Sequence, residues 1–338
     1  MSTPSERVFT FTVQAAASSA LGQAAAALSS GSWGTLAMTG LDSSWTDGGD
    51  SFLSYCPHGE WDALHKKLVF IGATHPVTAV PYLTRQFDYT DSTNTWARDN
   101  TTIPTGSGGP DHGYYHTAVN PATGDIYWRK FAGGTTVYKR PYGGSWAAIA
   151  STPLPELSQN VASALVWHPG LFSGAGGLVH GNWSGIAIYN PATNAWTTLR
   201  AVNGTMGTYH NAGVYNRADQ CVYIGGGNGS TVVWKVTAAG AVSQVASAPV
   251  VFGADLAGQA ALYSSTGTNR MVLLANSASG KTIYEYNHAT NAWSNIGTYP
   301  FSYSNSFAGF TCDDYNCLVF IMTTSGNTIG STAYIWKR

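Results

Sequence analysis

A turn recurs along this chain and restricts what it can become. In Ile188-Tyr189-Asn190-Pro191-Ala192-Thr193-Asn194-Ala195-Trp196 an apolar strand ends at Tyr189, turns, and restarts at a large aromatic. Pro191 presets φ at the turn's second position, and Asn194 tolerates the left-handed conformation that closes it. The pattern returns at 87–96 and 286–293, with weaker copies at 138–146 and 234–242. Trp96, Trp146 and Trp196 lie 50 residues apart, Val242 follows after 46 and Trp293 after 51. A period near 50 built from four short strands is that of propeller blades. The next outer-strand aromatic would fall beyond Arg338, but residues 33–38 supply a strand at the other end. The expectation is an all-β, six-bladed β-propeller over residues 31–338, closed by that N-terminal strand so that no edge stays unpaired.

The first strands of the six units are expected at 51–56, 112–119, 161–167, 209–215, 258–263 and 306–311. Residues 1–30 form a separate arm, extended and then helical. Its stretch 14–28 is rich in alanine, the best helix former, yet has only Leu21 and Leu28 as large apolar side chains. Such a helix is marginal alone. The arm is therefore expected either to be a disordered leader or to order on a foreign protein surface, with Phe9, Phe11, Leu21 and Leu28 as its anchors.

Composition narrows the function. Charged residues make up only 10% of the chain, against about 25% in typical soluble proteins. The net charge is −1, with no run of Lys or Arg, so nothing suggests nucleic acid or an anionic membrane as partner. No apolar run approaches the roughly 20 residues of a membrane span, and the N-terminus does not read as a secretory signal. These features point to a non-catalytic component of an exported or lysis-released assembly, such as a phage virion appendage or decoration protein. It would be cytoplasmic before assembly, then virion-bound or extracellular. Cys312 and Cys317 flank a short turn and are either paired or small buried hydrophobes.

From residue 31 onward the chain resembles kelch-type β-propellers, on its Tyr-Asn/Asp…Trp hairpins and on Gly133-Gly134 and Gly225-Gly226-Gly227 after second strands. The resemblance implies that the loops between second and third strands, and those between units, open on one face around a central channel. That face would gather Trp45, Asp47 and Asp50; His75 and Tyr82; Asp111, His112, Tyr114, Tyr115 and His116; Trp183; Tyr209 and His210; and Tyr303. Aromatic faces interleaved with Asp and His suit sugar rings, whose C–H faces stack while hydroxyls find partners. A free lectin-like module would share this face.

A second resemblance is to galactose-oxidase-like copper enzymes. Tyr55-Cys56-Pro57 is similar to that family's cysteine motif, Gly113-Tyr114 to the motif of its cross-linked tyrosine, and Tyr209-His210 to its Tyr-His ligand pair. It implies copper held by Tyr114, Tyr209 and His210 beside Cys56, and imidazole and phenolate suit that metal. The chain departs from the family in expecting six blades rather than seven. The remaining histidine would have to be His75, His116 or His180. Without that resemblance, no cofactor is expected.

Overall fold

The computed structural model describes residues 19–41, 46–47, 50–51, 53, 55–72, 86–99, 101, 112–129, 134–155, 163–202, 204–253, 261–265, 270–277, 280–301, 307–324 and 329–337. After helix α1 (Ala20–Ala26) and strand β1 (Trp33–Ala37), a short hairpin of β2 (Thr46–Asp47) and β3 (Asp50–Ser51) leads into four-stranded units. The first is β4 (His58–Asp62), β5 (Lys67–Ile71), β6 (Gln86–Thr90) and β7 (Thr95–Asp99). The second is β8 (Thr117–Val119), β9 (Ile126–Arg129), β10 (Val137–Arg140) and β11 (Ala147–Ala148). The third is β12 (Ala164–His168), β13 (Gly177–Asn182), β14 (Gly185–Asn190) and β15 (Ala195–Ala201). The fourth is β16 (Asn211–Asn216), β17 (Cys221–Gly226), β18 (Val233–Val236) and β19 (Val242–Gln244). The fifth is β20 (Ala261–Ser265), β21 (Arg270–Ser277), β22 (Gly280–Asn287) and β23 (Ala292–Gly297). Last come β24 (Phe307–Cys312), β25 (Cys317–Met322) and β26 (Thr332–Lys337), and β1 pairs with β26, Trp33 opposite Trp336.

Within each unit the strands are antiparallel and follow chain order. The first strands neighbour one another in sequence, β4 with β8, then β12, β16, β20 and β24, and β24 lies against β4 through a short parallel pairing. Strands β13, β17 and β25 are buried along their whole length, as expected of strands covered on both faces. The outer strands β15 and β23 remain largely exposed. The result is an all-β, propeller-like fold.

The recurrent turn turns out to be a joint between units. Asn94, Asn194 and Asn291 all adopt positive φ (53°, 50° and 51°), and each carboxamide oxygen accepts from the motif tyrosine: Tyr89, Tyr189 and Tyr286, at 3.0, 2.9 and 2.9 Å. The same asparagines then reach the preceding unit. Asn194 accepts from Ala150 N (2.9 Å), Asn291 accepts from Ala246 N (2.8 Å), and Asn94 donates to Ala37 O (2.9 Å). The tryptophans follow: Trp196 donates to Ala150 O, Trp293 to Ala246 O, and Trp96 to Met38 Sδ. The alternate junctions use other chemistry. Arg140 donates to Gln86, Asp99 and Thr101, Arg200 lies 4.6 Å from the Trp234 ring centre, and Phe301 packs edge-on against Trp33 at 5.7 Å.

Several expectations are corrected. The first unit's inner strand is His58–Asp62, not 51–56. Cys56 N closes a turn on Leu53 O, and Pro57, with no N–H to give, offers only its carbonyl to Gly309 N. The second unit's inner strand starts at Thr117 rather than 112, because His112 and Tyr114 have positive φ (27° and 37°). The fourth starts at Asn211 because His210 does too (66°). Trp196 is only half-buried, whereas Trp96 is 2% exposed. Cys312 and Cys317 stand opposite each other across β24 and β25 as buried free thiols.

Residues 19–30 do fold back onto their own chain. Ser19 caps α1 by accepting from Gly22 N at 3.1 Å, Lys337 Nζ donates to Ala25 O at 3.0 Å, and Leu21 is fully buried in a cluster with Met38, Leu41 and Phe310. Closeness does the work that bulk cannot: at Gly22 even an added Cβ would stand 3.1 Å from the Tyr315 ring. Leu21 is therefore a core residue here and Leu28 is half-buried, while Phe9 and Phe11 lie outside the described residues. Leu21→Ala should destabilise the fold by about 2–5 kcal/mol, read from denaturant unfolding. A loss under about 0.5 kcal/mol would mean that α1 is not docked.

Candidate functional site

The residues that interrupted the expected strands converge. Each precedes the first strand of a unit: Tyr55 before β4, His112, Tyr114 and His116 before β8, and Tyr209 and His210 before β16. The Tyr55 ring centre lies 4.1 Å from His112 and 6.2 Å from Tyr114. Tyr114 lies edge-on to His112 (5.1 Å), His116 (5.7 Å) and His210 (5.1 Å). Tyr209 lies 5.7 Å from His210, whose Nδ1 is 2.6 Å from Asn228 Oδ1. His112, Tyr114 and His116 are buried, whereas Tyr55, Tyr209 and His210 are half-open. Tyr114 N donates to Tyr55 O at 2.6 Å, locking the two segments together.

Three non-glycine residues at positive φ in one cluster is a costly arrangement. The surroundings hold it in place. An added Cβ at Gly113 would come within 2.0 Å of Ile71 O, and one at Gly253 within 2.1 Å of His210 O, so the backbone passes close on both sides.

Beneath the cluster runs a buried polar chain. Arg129 Nη1 donates to Ser163 Oγ (2.9 Å), Ser163 Oγ meets His180 Nε2 (3.0 Å), and His180 Nδ1 meets Thr152 Oγ1 (2.8 Å). Ser163 N donates to His116 Nε2 (3.2 Å). Burial pushes the pKa of both His116 and His180 well below the usual imidazole value, and Arg129 lowers both further. Burial also brings Arg129 down to about 9. Both histidines are thus neutral, and the charged or titratable groups bearing on His116, namely Arg129, His180, His112 and His210, are all basic.

Of the residues expected on this face, the structure brings together His112, Tyr114, His116, Tyr209 and His210. Trp183 is half-buried at the turn between β13 and β14. Trp45, His75, Tyr82, Asp111 and Tyr303 lie outside the described residues, as do the side chains of Asp47 and Asp50. Tyr115 points inward instead, its hydroxyl bound to Leu262 N (2.9 Å) and O (3.1 Å). Tyr55, Asn228, Ser163 and Arg129 were missed. Only Tyr55 carried a sequence signal, as neighbour of the Cys-Pro pair. Cys56 is buried, its thiol donating to Ile71 O at 3.3 Å, and burial raises its pKa well above the usual thiol value.

No family model matches the sequence, and no curated protein matches it. Solved structures do. One is a novel fungal alcohol oxidase of the AA5 family in complex with copper, 11% identical, covering 91% of this chain and 76% of its own, with a TM-score of 0.49. Another is a protein of unknown function from Bacteroides thetaiotaomicron, 12% identical, covering 90% and 76%, with a TM-score of 0.53. At such identities the likeness concerns the fold alone.

Proposed function

We propose that the chain is a closed six-bladed propeller that works by recognition, and that its aromatic–histidine cluster seats a saccharide. Two observations support closure. The first strands neighbour one another in an unbroken cycle from β4 to β24 and back, and the Asn94–Trp96 joint grips the end of β1 and the residue after it as the other two joints grip the residues just after β11 and β19. The observation that carries recognition is the convergence of His112, Tyr114 and His210, all at positive φ. Strain of order 1–3 kcal/mol per residue persists where surrounding structure enforces it, and it clusters at ligand sites. Half-open Tyr55, Tyr209 and His210 offer aromatic faces on which a sugar ring can stack, and the buried Arg129 guanidinium favours an acidic sugar over a neutral one.

The test is a panel of neutral and acidic mono- and disaccharides followed by calorimetry and ligand-observed NMR. Tyr209→Ala and His210→Ala should each weaken binding at least tenfold, about 1.4 kcal/mol, with unchanged unfolding midpoints. Absence of binding across the panel, or binding indifferent to both changes, overturns the reading.

One observation favours a second reading, a copper site: the Tyr114 ring lies between the His116 and His210 imidazoles. Tyr114, Tyr209, His116 and His210 would be its ligands, and their donor chemistry fits copper. Arg129 is the opposing term, a buried guanidinium that disfavours a cation nearby. Stoichiometric copper retained after dialysis, and lost in His210→Ala, would favour this reading over the saccharide one.

A further inference from the structure

The opposite ends of the inner strands hold a second cavity, about 120 Å³, and it shares no residue with the cluster above. It is blind. At its floor the His58 ring stacks on Tyr115 (4.7 Å, 23°) and lies 6.3 Å from Tyr263. Those two tyrosines are tied across the axis, Tyr115 to Leu262 and Tyr263 to Pro57 O at 2.6 Å. The walls include Trp61, Trp167 and Tyr215, with Glu60 and Asp313 as the carboxylates.

Its two carboxyl groups are held differently. Asp313 is paired with Arg217 at 2.8 Å. Among the described residues the Glu60 carboxyl is recorded near one basic group, His58 Nδ1 at 4.0 Å, too far for a hydrogen bond. His58 supplies no charge, since burial pushes its pKa down to about 3. Its ring is 7% exposed, and Nδ1 has no hydrogen-bond partner among the described residues. Buried polar atoms are nearly always satisfied, and here the unpartnered His58 Nδ1 and the half-buried Glu60 carboxyl, about 4 Å apart, belong to residues that line one cavity.

We infer that this cavity binds a small protonated primary amine. An ammonium group has three N–H donors, enough to meet Glu60 and the lone pair of His58 Nδ1 together. The aromatic walls add cation–π attraction and exclude water. A quaternary ammonium could use the walls but not the two acceptors. A neutral sugar would leave the carboxylate uncompensated.

The groups facing Glu60 set the pH dependence. Burial, then Asp313, raises the Glu60 pKa to about 8. Asp313 itself is raised by burial to about 6, so it is ionised at neutral pH and paired with Arg217, while burial raises Tyr215 and keeps it neutral. A ligand that needs ionised Glu60 gains affinity as pH rises through about 8. Between pH 7 and 9 the ionised fraction grows roughly tenfold, while an alkylammonium stays protonated.

The experiment titrates the full chain with propylammonium chloride, following tryptophan fluorescence from Trp61 and Trp167, with tetramethylammonium and glucose as comparisons. Saturable binding of propylammonium is expected, with affinity rising about tenfold from pH 7 to 9. Glu60→Gln should weaken it at least tenfold and abolish the pH dependence, with the unfolding midpoint of the variant checked in parallel. Tyr209→Ala, at the other mouth, should leave it unchanged, so this inference and the saccharide reading can fail separately. Affinity unaltered by Glu60→Gln, a flat pH profile, or tetramethylammonium or glucose binding as tightly as propylammonium would overturn it. Should Glu60→Gln misfold, the pH profile of the wild-type chain alone decides.

Discussion

Trp96→Ala is expected to cost about 3–5 kcal/mol of folding stability, the range for removing a large aromatic from a core. Trp96 is 2% exposed and packs against Phe70 and Phe310 at 5.8 Å and Tyr89 at 5.5 Å, while its indole N–H points at Met38. It therefore touches the first unit, the last unit and the strand that links them. Trp196 has the same place in its own hairpin but is half-buried, so Trp196→Ala should lose only about 1–3 kcal/mol. Paired urea unfolding curves measure the difference. Equal losses would mean that the two joints are equivalent and that the burial described above is wrong.

Removing residues 1–38 should have a larger effect still: loss of soluble, folded protein. The deletion strips β1 from β26 along the register from Trp33–Trp336 to Ala37–Thr332, and with it Leu21 and Met38 from a shared apolar cluster. An exposed strand edge beside apolar surface is a template for aggregation. Removing residues 1–18 alone, which keeps Ser19, Leu21 and β1 in place, should leave solubility and the unfolding midpoint unchanged. Size-exclusion chromatography and circular dichroism of the two truncations decide the matter. A soluble, folded protein lacking 1–38 would sink the closure argument.

How far the sequence could be read depended on which physics a segment obeys. The hairpins were legible because their residues act locally: an asparagine suited to left-handed φ, a tyrosine before it, an aromatic after it. Their partner across the junction was not legible, since Ala150 and Ala246 contribute backbone atoms that any residue would offer. Inner strands in the first, second and fourth units began later than their apolar pattern suggested. At His112, Tyr114 and His210 tertiary packing overrides residues that by themselves would extend. Helix α1 was visible as composition, but its docking was not. It rests on closeness at Gly22 and one deeply placed leucine, and counting large apolar side chains underestimates both. The cavity escaped notice because it is built by residues from several units, and nothing in the local sequence around His58 and Glu60 marks them as facing one space.

The joints carry a consequence for the molecule's internal symmetry. Tyr–Asn–Trp joints fasten the first, third and fifth units to their predecessors, and the junctions between them use Arg140, Trp234 with Arg200, or the Phe301 cluster. Two kinds of junction alternate along the chain, so the repeat of the joints is a pair of units. The motif tryptophans Trp96, Trp196 and Trp293 accordingly recur at about twice the blade period. The smallest segment holding one joint of each kind is a pair of blades, about 100 residues long. Its two ends differ, so such pairs join head to tail. Growth by one blade would place two like surfaces in contact at some junction, whereas loss or gain of a pair would preserve every match. An arrangement with an odd number of such units would have to rebuild one joint from new residues.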